Sequence, residues 1–177
     1  ALNGTMVKIE TVTVGSGGAA SIDFTNIPQT YTDLYIVHSL RSNRASNEDN
    51  VRVRFNGSTS NLSYRRLLGV GTSALSQSDN TVIQSAVAGD NVTANTFGNG
   101  SIYVPNYTSS NNKSVSLDAV FENNATDAYQ DLGAGLWANT AAITSVSLVP
   151  GVGTLWKQYT TATLYGISRT TAQIKAT

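Results

Sequence analysis

The chain has 177 residues, a length suited to one domain with a core of its own, and its eleven basic residues balance its eleven acidic ones. With charged residues at 12% and no cysteine, the composition excludes a disulfide framework, a thiolate metal site and a strong whole-molecule field toward nucleic acid or membrane. Ser, Thr and Asn make up a third of the residues, giving a weakly charged polar surface that sheds water easily and, at zero net charge, associates readily.

No apolar run reaches the length of a membrane span. The start, ALNGTMVKIE, lacks a basic region followed by a long apolar stretch, so no signal peptide is expected. Apolar residues recur with period two almost everywhere. Taken in order, strands are predicted over 6–14, 20–27, 33–42, 51–55 and 62–68, then over 101–107, 114–122, 128–137, 143–149 and 160–168. Turn signals separate them: GSGG at 15–18, NG at 56–57, GNG at 98–100, SSNN at 109–112 and PGVG at 150–153. Residues 69–100 are rich in Gly, Ser, Thr and Asn and read as an irregular excursion, within which 81–88 is either a short helix or another strand. Pro105, inside a strand-like run, suggests an edge strand or a bulge. About ten strands at this spacing predict an all-β fold, an antiparallel two-sheet β-sandwich of jelly-roll-like form, as a single domain over 1–177.

Residues that could carry chemistry are few. His38 is the only histidine and shares a strand side with Leu34, Ile36 and Leu40, which favours a packed histidine over a catalytic one. Asp118 and Glu122 fall on one strand face, but four residues at about 3.3 Å each place them about 13 Å apart. That is too far for a paired-carboxylate glycosidase. Asp127 and Asp131 form no pair by any spacing rule. The oxygen-rich loops 46–50 and 122–127 follow no EF-hand pattern and read as solvated. No phosphate-binding glycine loop is present. The expectation is a non-enzyme without cofactor or metal.

The arginines are the remaining feature. In NVRVRFNG, Arg52 and Arg54 alternate with Val51, Val53 and Phe55, which predicts an arginine face opposite an apolar one. Arg65 and Arg66 follow shortly after, Arg41 and Arg44 precede them, and a hairpin through Asn56-Gly57 would bring several together. A nucleic-acid surface would add lysines and raise the pI, which is about 6.8. These arginines are therefore expected to meet carboxylates, either within the fold or across a protein interface.

Three blocks carry a resemblance: SIDFTNIPQTYTDLYIVHSLRS (21–42), SIYVPNYTSSNNKSVSLDAVFENNATDAYQDLGAGLWANTAAITSVSLVP (101–150) and QYTTATLYGISR (158–169). They cover just under half of the chain and resemble small virion structural proteins of tailed bacteriophages, common among phages of cyanobacteria and other aquatic bacteria. The resemblance implies a capsid decoration, or cement, protein on the exterior of the head. It would be made in the host bacterial cytoplasm and bind the major capsid protein and itself, as a homotrimer, with neither nucleic acid nor membrane as partner. The alternative is a tail-fibre or baseplate module for host-surface carbohydrate, in which Trp156 and Tyr107 would stack on sugar rings. The blocks are framework motifs and bring no catalytic residues. Residues 43–100, where the resemblance is weakest, are where a specific role would be encoded.

Overall fold

A computed structural model of the chain describes residues 5–123 and 128–168. Among these, twelve strands and no helix form two antiparallel sheets. The strands are β1 (Met6–Thr13), β2 (Ile22–Phe24), β3 (Asp33–Leu40), β4 (Glu48–Phe55), β5 (Leu62–Val70), β6 (Ser73–Asp79), β7 (Gln84–Ala88), β8 (Gly98–Val104), β9 (Lys113–Phe121), β10 (Tyr129–Trp137), β11 (Val146–Pro150) and β12 (Thr161–Ile167). The large sheet runs β1-β12-β3-β8-β9-β10-β5-β6 and the small one β2-β11-β4-β7. All ten expected strands are present. The stretch 69–100 is more regular than expected, since it holds β6, β7 and the start of β8, and 84–88 is strand rather than helix. Pro105 lies just past the end of β8.

Alternation decides what enters the core. Leu34, Ile36 and Leu40 of β3, Val51, Val53 and Phe55 of β4, Ile102 and Val104 of β8, and Leu164 of β12 are fully or almost fully buried between the sheets. Phe55 packs on Trp137 with ring centroids 5.8 Å apart. Gly135 faces inward on β10 because a Cβ there would sit 2.7 Å from Ile83 Cγ2 and 2.9 Å from Val115 Cγ2. A second, smaller cluster joins Leu68, Ala86, Ala88, Val92 and Phe121.

Two hairpins stand apart from the rest. β5 and β6 pair through a two-residue turn at Gly71-Thr72, with Val70 opposite Ser73 and Gly71 at φ 53°. β9 and β10 pair from Lys113–Trp137 to Phe121–Tyr129. Strand β10 then pairs with β5, so the two hairpins join into the four-stranded run β9-β10-β5-β6, which extends the large sheet beyond β8. Outside the hairpins, the chain passes between the sheets in the order β1 large, β2 small, β3 large, β4 and β7 small, β8 large, β11 small, β12 large.

Asn56-Gly57 is not the expected hairpin. β4 belongs to the small sheet and β5 to the large one, so this turn starts a crossing between sheets. Both residues adopt positive φ, 51° and 70°, which Asn and Gly tolerate best. The Asn56 side chain then ties down the segment before β11. Its Oδ1 accepts from Thr144 N at 2.8 Å and Ser145 N at 3.1 Å, and its Nδ2 donates to Ala142 O at 2.8 Å.

Candidate interaction face

The crossing separates Arg52 and Arg54 from Arg65 and Arg66. Arg52 and Arg54 lie half-buried on the outer side of β4, beside Thr59, Leu62, Thr81 and Val82. Neither forms an ion pair among the described residues. Arg65 is exposed on β5 and donates to Tyr64 O at 2.7 Å. Arg66, the next residue, points the opposite way and is buried, so it cannot serve a partner as expected. The phase was legible: Leu62, Tyr64 and Leu68 share its side of the strand.

Arg66 is instead an internal bridge. It donates to Asp131 Oδ2 and Asn50 Oδ1, each at 2.9 Å, and to Gln77 Oε1 at 2.6 and 3.0 Å. The Glu48 carboxylate lies 3.7 Å away, yet burial pushes the Glu48 carboxyl above its ordinary pKa, outweighing the pull of Arg66. Asp131 Oδ2 also accepts from Ala86 N at 2.8 Å. That amide points away from β4, because the β4–β7 ladder bonds the alternate pairs, as in Val53 N to Ile83 O. A carboxylate from the large sheet thus caps the free edge of the small one.

Both candidate sugar-stacking residues are fully buried, which corrects that expectation. Trp156 donates its Nε1–H to Leu148 O at 2.9 Å, and the Tyr107 hydroxyl donates to Pro28 O. With no exposed ring face, neither can stack on a sugar. Sequence reasoning passed over Tyr159, which is 66% exposed at φ 72° and lines a groove with Arg41, Asn95, Phe97, Lys157 and Gln158. Of the loops considered for calcium, residues 124–127, Asp127 included, lie outside the described residues. Among the described residues no cluster of three or more acidic or histidine side chains is placed to hold a metal.

What the surface does present lies on the added strands. Leu67 of β5 and Leu132 of β10 are cross-strand neighbours on the outer face, 62% and 63% exposed. Val120 of β9 and Leu136 of β10 extend the apolar area, while Leu75 of β6, opposite the inward Leu68, lies on the other side of the edge strand. Leu67 and Leu132, with Gly69, Ala74, Ser76, Asp118 and Gln130, line a shallow groove of about 660 Å³. The outer positions of β8, β9, β10, β5 and β6 are otherwise Ser, Asn, Ala, Gly, Gln and Tyr, and carry two charges of opposite sign, Arg65 and Asp118. Single exposed leucines are ordinary; here two stand side by side on adjacent strands. The signal was present in LSYRRLL and AYQDLGAGLW, where apolar residues fill both phases of the strand.

Compared with protein-family models, with curated proteins and with solved structures, the chain matches none of them.

Proposed function

We propose that the chain is a structural virion protein of a tailed bacteriophage, a decoration protein that binds the outer surface of the capsid lattice and stabilises it by non-covalent burial. The observation that carries this is the apolar, almost uncharged outer face of β9-β10-β5-β6. Contacts of that kind, repeated over many copies, favour an assembled lattice because they bind it and not its free subunits. The strand order adds support. Set aside the two hairpins, and β1-β12-β3-β8 faces β2-β11-β4-β7, the order we read as a jelly roll, an architecture used in viral capsids and in lectins. That likeness is one of architecture and carries no site with it.

The second reading is a host-recognition module of the tail, binding carbohydrate. It moves from Trp156 and Tyr107 to the groove beside Tyr159, where an exposed ring stands next to Asn and Gln side chains. Immunogold labelling of intact particles with antibody to this chain separates the two. Decoration predicts label spread over the head. Label confined to tail tip or fibres establishes the second reading, and particles without label sink both.

A further inference from the structure

We infer that the outer face of β9-β10-β5 binds a second copy of this chain about a two-fold axis. The inference rests on the reading of that face as an interface and makes the second copy its occupant in solution, displaced by the lattice on the particle.

The argument is the placement of the two charges around the leucines. Leu132 on β10 sits between Asp118 on β9 and Leu67 on β5, and Arg65 lies two residues along β5, opposite Ala134. Strands lie about 4.8 Å apart and rise about 3.3 Å per residue, so Arg65 and Asp118 are separated by about 12 Å, with a midpoint on β10 between Leu132 and Ala134. Consider a two-fold axis in the plane of the face, through that midpoint and perpendicular to the line joining the charges. It sets Arg65 of each copy against Asp118 of the other. The same rotation brings each copy's Leu132 to about 3 Å in projection from the other's Leu67, so the two leucine pairs pack on one another.

A face with one positive and one negative charge flanking an apolar centre is self-complementary in this way, as an isologous contact requires. Asp118 has no ion-pair partner among the described residues, and Arg65 bonds only to neutral oxygens, Tyr64 O and Asn80 Oδ1. Both charges are therefore available to a second molecule. The remaining outer positions carry no like charges to repel it.

The test is sedimentation equilibrium on the full chain across a concentration series at low salt. The samples are wild type, Arg65→Asp, Asp118→Arg, their equimolar mixture, and Leu132→Asp. All three positions are exposed, and circular dichroism checks that each variant is folded. The wild type is expected to dimerise, and each single reversal to raise the dimer Kd by at least about tenfold through like-charge contact. The mixture is expected to recover as heterodimers, because every 65–118 contact in a mixed pair again joins opposite charges. A wild type that stays monomeric, or forms trimers, overturns the two-fold pairing. So does a dimer indifferent to both reversals. If a monomeric wild type binds particles and Leu132→Asp abolishes that binding, the face remains an interface and only the second copy is removed. If Leu132→Asp alters neither dimerisation nor particle binding, both readings fall.

Discussion

Asp131 and His38 show how differently two buried polar residues load the same fold. Asp131 satisfies the buried Arg66 guanidinium, the free amide of Ala86 and, at 3.3 Å, the Ser85 hydroxyl. Asp131→Ala leaves a buried cation and an orphaned N–H, and is expected to cost about 3–5 kcal/mol in urea denaturation. Pairing it with Arg66→Met, which removes the stranded charge, is expected to cost less than the single change. His38 is the converse case. Its ring nitrogens have no hydrogen-bond partner among the described residues, and burial lowers its pKa from 6.5 to about 4. The unfolded chain then binds a proton that the folded one refuses. This contribution to stability is fully present above pH 6.5 and is lost as pH falls toward 4, by up to about 3 kcal/mol. Urea midpoints of wild type and His38→Leu, measured from pH 7 to 4, are expected to diverge, with the variant the flatter of the two. A profile of equal slope for both would refute the assignment. The inward phase of His38 was legible beside Leu34 and Ile36; the partners of Arg66 were not, since they come from β4, β6 and β10.

At the scale of elements, most of the strands that sequence reading found are buried on one face only, β1, with no buried position, being the exception. β9 alternates buried and exposed from Lys113 to Phe121, and its pattern is plain. β7 is buried on both sides from Ser85 to Ala88, and β6 is largely exposed on both, so neither leaves a period of two. Asn56-Gly57 misled for a related reason. The pair supplies positive φ, and a crossing between sheets needs that as much as a hairpin does. Its role as a clamp can be measured. Asn56→Ala loses the bonds to Thr144, Ser145 and Ala142 and puts Cβ strain at φ 51°. The expected cost is about 1–3 kcal/mol, with Gly57 intact. A change below about 0.5 kcal/mol would mean that water replaces the clamp.

Across the whole molecule, the first and last described strands are partners. β1 pairs with β12 from Met6–Ile167 to Thr13–Thr161, and β12 in turn pairs with β3. Truncation after residue 160 strips Ala162 and Leu164 from the core and leaves β1 without a neighbour. Such a chain is expected not to fold, seen as loss of the near-ultraviolet dichroism of the buried Trp137 and Trp156. Retention of that signal would place the folding unit elsewhere. Because so many pairings join distant residues, the intact chain is expected to refold in milliseconds to seconds, as such topologies do.

The two hairpins carry one more consequence. β5-β6 interrupts a connection between β4 and β7, which are neighbours in the small sheet, and β9-β10 interrupts the passage from β8 to β11. β4 and β7 pair with each other, and β8 and β11 are held in separate sheets by β3 and β4, so neither insertion is needed to place the strands it joins. Descent with modification can therefore rewrite the outward letters of four strands, at positions such as 65, 67, 118 and 132, while the inward letters stay under selection for folding. A lineage that must follow a changing partner gains from that division, because the surface that meets the partner drifts on a frame that does not.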